Sequence, residues 1–222
     1  MGERVLERLS AVHVAVFGVG GVGSWCAEAL VRSGVNHLTL IDDDVVAASN
    51  INRQRQARPS TLGRSKVEAL REMLLETVPD ARIDICAERY TPQTADSFDG
   101  LLAGCDFVID AIDSVECKAH LIWRCTCGGG PAIFSSMGAA LRTDPTQVRV
   151  APFRKVAGDG LARALRARFR KGGIPMPNHL CIYSAEPPNA RGSACKGSVM
   201  TVTCAFGMAL ASLVLAAMQQ QA

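Results

Sequence analysis

The chain has 222 residues, 48% of them hydrophobic, enough for one well-buried core and short for two, so a single domain over residues 1–222 is expected. A formal net charge of +3 on 20% charged residues is too mild to identify a nucleic-acid binder, yet compatible with a polyanionic partner. Nine cysteines, an odd number scattered through apolar runs, and a charged opening, MGERVLERLS, argue against a disulfide-framed exported protein and point to reduced thiols in the cytoplasm.

In chain order, VHVAVF reads as a buried strand and GVGSWCAEALVRSG as the helix after it, with Gly34 placed to end that helix in the left-handed region. HLTLID supplies a second strand. The stretch DDVVAASNINRQRQARPS, Asp43 to Ser60, is too long for an ordinary connection and is expected to be functional. Ser60 or Thr61 would cap the next helix, GRSKVEALREMLLETV, whose apolar residues recur at helical spacing until Pro79. RIDICAE, DFVIDAID and PAIFSSM come next as strands, separated by helical TADSFDGLLAG and VECKAHLIWRC. This alternation predicts an α/β fold with a doubly wound, Rossmann-like, mostly parallel sheet.

After Gly138 the pattern changes. RTDPTQVRVAPF suggests an antiparallel pair, LARALRARFRK a basic helix, HLCIYSAE a strand and EPPNARGSACKGS a flexible loop, so antiparallel C-terminal additions to the same sheet are expected. From Gly197 onward there is no Asp, Glu, Lys or Arg, and VMTVTCAFGMALASLVLAAM is long enough to cross a bilayer. Its hydroxyl residues, its mid-segment Gly207 and the need of an α/β sheet for covering helices favour a packing or dimer helix over membrane contact.

Gly18, Gly20 and Gly23 have the GxGxxG spacing between a strand and a helix, which suits a tight turn, close approach of a phosphate and close helix packing. Asp42, at the end of the second strand, stands where a carboxylate meets a ribose hydroxyl; the alternative is a solvated acidic turn. The residues after it exceed the needs of a dinucleotide. Asn50, Arg53, Gln54 and Arg55 come within a dozen or so residues, and Lys66 lies in the next helix. Arg53 and Lys66 are read as triphosphate ligands, Arg55 and Arg58 as solvent-exposed. Asp110 and Asp113 end the fourth strand at the ligand-binding edge of such sheets. Asp113 could hold magnesium, cap the following helix, or do both.

The succession GVGGVGSW, LIDDDVVAASNINRQ, LGRSK and VIDAIDS resembles the ubiquitin-activating enzyme superfamily, whose bacterial members include adenylyltransferases of molybdopterin and thiamine synthesis. GVGSW, NINRQ, AIDS followed by Lys118, DPTQ and IYSAEPP are closer to the tRNA threonylcarbamoyladenosine dehydratases, a likeness over nearly the whole chain. The resemblance implies ATP and magnesium as cofactors, a tRNA substrate whose carboxylate is adenylated and cyclised with loss of water, and a homodimer. It implies that Asp42, Asn50, Arg53, Lys66 and Asp113 bind ATP and magnesium, with Arg53, Lys66 and Asp113 catalytic and Asp113 the metal ligand. The expected nucleotide-binding set is thus Gly18, Gly20, Gly21, Gly23, Asp42, Asp44, Asn50, Arg53, Gln54, Lys66 and Asp113.

Superfamily members usually carry, ahead of the segment matching MGERVLERLS, an arginine that reaches a neighbouring subunit's ATP; Arg4 or Arg8 could take its place. Activation of a ubiquitin-like or sulfur-carrier protein is the alternative activity, with a sulfur-transfer protein as partner. The lack of paired CxxC motifs for structural zinc opposes it. An NAD-dependent oxidoreductase is opposed by NINRQ and Lys66. Cys195, beside Lys196, is either a reactive thiol or an incidental loop cysteine. For tRNA the best local feature is LARALRARFRK, where Arg163, Arg166 and Arg170 recur at helical spacing with Arg168 and Lys171 nearby. The competing reading is a solvated amphipathic helix with Leu161, Leu165 and Phe169 inward.

Overall fold

The computed structural model describes residues 2–189 and 197–220. After α1 (Glu3–Ala11), strand β1 (His13–Phe17) leads through the glycine loop into α2 (Gly23–Arg32) and β2 (His37–Ile41). A long excursion then reaches α3 (Lys66–Thr77), followed by β3 (Arg82–Cys86), α4 (Asp99–Gly104), β4 (Phe107–Asp110), α5 (Val115–Cys127) and β5 (Ala132–Ser136). The last elements are β6 (Val148–Pro152), α6 (Gly160–Lys171), β7 (Leu180–Ser184) and α7 (Met200–Gln220). The strands form one sheet in the order β3-β2-β1-β4-β5-β7-β6, parallel except for β6. The doubly wound α/β expectation holds, and the antiparallel pair is made by β6 with β7.

The central strands are apolar on both faces because both are covered. On β1, Val14 and Val16 meet α2, α3 and α7, through residues such as Leu30, Leu70 and Phe206. Ala15 and Phe17 face α4, α5 and α6, through residues such as Leu102, Leu121 and Phe169. Gly34 ends α2 at φ +102°, as its position after the helix requires.

One face of α7 is buried: Val202, Phe206, Leu210, Val214 and Met218 pack against the sheet side that α2 covers. A methyl group on Gly207 would stand 2.7 Å from the Val22 carbonyl oxygen and 2.8 Å from the Cys26 nitrogen, so only glycine lets the two helices come this close. The opposite face leaves Met208 exposed, and the helix is long and apolar enough to cross a membrane by composition.

Two local expectations fail. Helix α3 starts at Lys66 after Ser65, not after Ser60 or Thr61. Pro59–Thr61 forms its own 3-10 turn, where Thr61 Oγ1 donates to the Gln56 carbonyl at 2.7 Å and accepts from Arg58 N at 3.0 Å. Likewise α5 starts after Ser114, so Asp113 does not cap it. Most of the loop expected at EPPNARGSACKGS, Cys195 included, lies outside the described residues.

Candidate active site

The C-terminal ends of β1, β2 and β4 open into a cavity of about 720 Å³, a size that suits a nucleotide. Its floor is the glycine loop. Gly18 has φ +86°, and a Cβ there would meet the Ala111 carbonyl oxygen at 2.9 Å. At Gly23 the clash is absolute, 1.8 Å from the Gly18 oxygen, because the helix doubles back over its own loop. Gly20 leaves open space apart from Gln54, as a loop approached by phosphate requires. Gly21 is held between the Arg53 side chain and Thr203 of α7.

The excursion from Asp43 to Ser65 is held shut by a bridge between Val45 and Ser65 and by Val46 N donating to the Arg64 carbonyl at 2.9 Å. It presents Asn50, Arg53 and Gln54 to the cavity, opposite Asp42 and Lys66. Asn50 is turned by its own backbone: Oδ1 accepts from Ala47 N at 3.1 Å. Arg53 donates to the Ser49 carbonyl at 2.7 Å, and Trp25 Nε1 donates to the Arg53 carbonyl at 2.9 Å, so α2 fixes where that arginine stands. Gln54 is buried, its Oε1 without a hydrogen-bond partner among the described residues. Gln56 donates to the Val19 carbonyl at 2.8 Å and props the glycine loop from behind.

Lys66 is buried, with Nζ 2.6 Å from Asp44 Oδ2 and 3.9 Å from Asp42 Oδ1. Asp42 accepts from Val19 N at 2.8 Å and Asp44 N at 3.0 Å, which ties the second strand to the glycine loop. Burial pushes its carboxyl above the usual range, against the pull of Lys66 and these two amides. Asp113 is exposed at the cavity rim and makes no hydrogen bond among the described residues. Ten of the eleven residues expected to bind nucleotide therefore line the cavity; Gly23, the first residue of α2, instead packs against the loop that floors it.

Asp110 does not share the ligand edge with Asp113. It points inward, 2.9 Å from Lys118 Nζ, both side chains wholly buried, and Ser135 Oγ donates to its other oxygen at 2.7 Å. Lys118 also donates to the carbonyls of Asp110 (3.2 Å) and Ile112 (3.0 Å), so it sets the turn that carries Asp113. Ser135 in turn meets His179 Nε2 at 2.9 Å, and burial holds that imidazole down to about 3.

Other expectations change. Arg55 is not a solvent arginine: it lies over the Trp25 ring and 3.4 Å from Glu28, while Arg58 is exposed as expected. Arg166 leaves the basic face of α6, donating to the Val156 carbonyl at 2.9 Å. Leu161 is only half-buried and forms part of the cavity wall, whereas Leu165 and Phe169 are buried. Neither Arg4 nor Arg8 lines this cavity; Arg8 lies at the other end of the sheet with Asp106 and Phe107.

Sequence reasoning missed several residues. Glu88, Arg89 and Tyr90 after β3, Ser198 just before α7 and Thr203 in its first turn also line the cavity. Nothing local marks them. The DPTQ and IYSAEPP segments could have been linked as one unit. Glu186 accepts from the amides of Thr143 and Asp144 at 2.9 Å, and Arg142, buried against Asp159 at 3.2 Å, donates to the Gly138 and Glu186 carbonyls. That unit braces Gly138–Ala140, the cavity's far wall.

The ThiF family model matches residues 1–222. The tRNA threonylcarbamoyladenosine dehydratase of Bacillus subtilis is 41% identical over 85% of this chain and 72% of its own length. The Escherichia coli protein of that name is 34% identical over 97% of this chain and 84% of its own. A crystal structure of the E. coli tRNA N6-threonylcarbamoyladenosine dehydratase in complex with ATP superposes with a TM-score of 0.92 at 35% identity, covering 99% of this chain and 90% of that one. The glycine floor, the Asn50–Arg53 excursion and the Lys66 wall, joined to this likeness over almost the full length, place the chain in the ThiF family, in its tRNA threonylcarbamoyladenosine dehydratase branch.

Proposed function

We propose that this protein uses ATP to activate the carboxylate of threonylcarbamoyladenosine in tRNA and closes that group into a ring with net loss of water. The observation that carries the reading is the convergence of Arg53, Lys66, Asn50 and Asp113 on one cavity floored by backbone amides. The carboxylate oxygen displaces pyrophosphate from the α-phosphorus of ATP, and a neighbouring group on the same substrate then expels AMP. The glycine loop supplies donors that need no reorganisation as charge develops, and Lys66 exchanges exposed Asp44 for phosphate. Arg53, fixed by Trp25, stabilises charge on the departing pyrophosphate.

The side chains also suit magnesium. Asp113 is a rim carboxylate without a competing donor among the described residues, and magnesium is usually held by one or two carboxylates together with phosphate oxygens. Asp113 would hold the ion, which would neutralise phosphate charge. Asp42, Asp43 and Asp44 bring their carboxylates within 4.8 Å of one another, but Asp44 is engaged by Lys66 and Asp42 by two amides.

We also propose a homodimer, supported by the exposed apolar face of α7, and a cytoplasmic setting, supported by free thiols at all eight described cysteines. Nothing among the described residues favours a sulfur-transfer partner or carrier-protein activation, and neither is proposed. Membrane contact through α7 has only its composition in support.

The test is incubation with ATP, magnesium and threonylcarbamoylated tRNA, followed by nucleoside mass analysis. Loss of one water from the modified nucleoside is expected. An unchanged mass with full ATP binding refutes the reading.

A further inference from the structure

We propose that α6 and the loop leading into it are the surface on which the phosphate backbone of the RNA substrate docks. The inference rests on the proposed tRNA activity and adds where the RNA lies. From Arg149 to Lys171 the chain carries eight lysines and arginines against a single acid, Asp159. Of 24 basic and 21 acidic residues in all, 16 and 20 remain elsewhere, so this stretch is +7 and the rest of the chain −4. Asp159 does not offset the surface charge: it is buried, paired with Arg142 and capping α6 through Ala162 N.

Four of the eight cations have partners within the chain. Arg149 donates to the Thr146 carbonyl at 2.6 Å, Arg154 to that of Met176 at 3.0 Å and Arg166 to that of Val156 at 2.9 Å, while Arg168 lies 3.6 Å from Glu116. The other four do not. Lys155, Arg163, Arg170 and Lys171 are exposed, and their side chains have no hydrogen bond or ion pair among the described residues.

Arg163 and Arg170 are separated by two helical turns, roughly 10 Å along one face, with Lys171 beside Arg170. The helix dipole accounts for cations in the last turn of α6 but opposes one near its start, where Arg163 stands four residues after the capping Asp159. An external polyanion gives Arg163 a partner that the fold does not. Leu161, in the first turn of α6, is part of the cavity wall, so that end of the helix adjoins the site; Arg163 and Arg170 stand about half a turn round the helix from it, so a backbone held on their face crosses the first turn of α6 to bring one nucleoside to the cavity. With only 5% aromatic residues in the chain, phosphate contacts rather than base stacking suit this surface.

The test titrates the full chain and its Arg163→Gln/Arg170→Gln/Lys171→Gln variant with fluorescently labelled bulk bacterial tRNA over a salt series. The variant is expected to bind at least about tenfold more weakly, with the slope of log K against log salt shallower by about 2, as for three lost phosphate contacts. Its ATP affinity by calorimetry should equal the wild type's. An Arg64→Gln/Arg82→Gln control, removing two cations that lie outside α6 and are paired with Glu72 and Asp84, should bind tRNA normally. Unchanged affinity and slope in the triple variant overturn the proposal, as does an equal loss in the control. So does normal tRNA binding accompanied by lost binding to phosphatidylserine vesicles. The two readings fail separately: a wild type that binds tRNA through α6 without converting it refutes the activity alone. A wild type that converts it with the same KM as the triple variant refutes the docking surface alone.

Discussion

Two lysine–aspartate pairs stand on opposite sides of the glycine loop, alike in chemistry and unlike in setting. Lys66 holds Asp44 at 2.6 Å, with the Asp44 side chain 65% exposed; Lys118 holds Asp110 at 2.9 Å, with both side chains at 0%. The first pair can open. Asp44 regains water when Lys66 turns to a phosphate, so the lysine is free to act on a ligand at little cost. The second cannot open without stranding a charge in the core, so Lys118 positions Asp113 through the turn it braces and touches no ligand. Burial of the partner, rather than residue type, separates an acting lysine from a supporting one.

The largest test of this contrast is Lys118→Met, expected to destabilise the protein by about 3–5 kcal/mol in urea melts, because Asp110 is left buried and unpaired. Adding Asp110→Asn should recover most of that loss. A single variant as stable as wild type would erase the distinction. Next come Lys66→Ala and Arg53→Ala, each expected to lose at least about tenfold in adenylation rate. Arg53→Ala should change stability by no more than about 1 kcal/mol, since it leaves no buried charge behind; Lys66→Ala should cost more, because Asp42, its side chain only 11% exposed, loses the pull of the Lys66 ammonium. Wild-type turnover in both would remove them from the mechanism.

A third effect comes from the buried chain behind Lys118. His179 titrates near its ordinary 6.5 when unfolded and is held down to about 3 when folded, so between these values the unfolded chain carries the extra proton. Stability therefore falls as pH drops from 7 to 5, by at most about 1.4 kcal/mol per pH unit from this group. His13 and His120 are lowered too but less buried, so the difference between wild type and His179→Gln isolates the effect. Parallel melting curves for the two would show that His179 does not titrate on unfolding. Smallest is Asp113→Asn, which should raise the magnesium concentration needed for half-maximal activity and leave the melting temperature unchanged. An identical magnesium dependence would take Asp113 out of the metal site.

The glycine loop was legible because its constraint is local: Gly18 needs a positive φ and Gly23 has no room for a Cβ, and both result from a strand turning at once into a helix. The excursion around Asn50 and Arg53 was recognisable as functional by its length alone. Its anchoring was not, since Trp25 reaches Arg53 and Gln56 reaches Val19 from outside the immediate neighbourhood in sequence. The arginines divided in the same way. Helical spacing put Arg163, Arg166 and Arg170 together, yet Arg166 is spent on the Val156 carbonyl, a bond that depends on how the strand-to-helix loop folds under α6.

By itself the sequence determined the alternation of strands and helices, the apolar coating of both sheet faces and the shape of the phosphate loop. These depend on side-chain period, on glycine's conformational freedom and on the need to bury continuous apolar runs. Only the tertiary structure decided which charges are free. A cation is spent or available according to whether an acid or carbonyl brought from elsewhere in the chain lies within hydrogen-bond or ion-pair reach, and it is locked there when water cannot replace that partner. Lys66 and Lys118, indistinguishable as letters, were sorted by that packing.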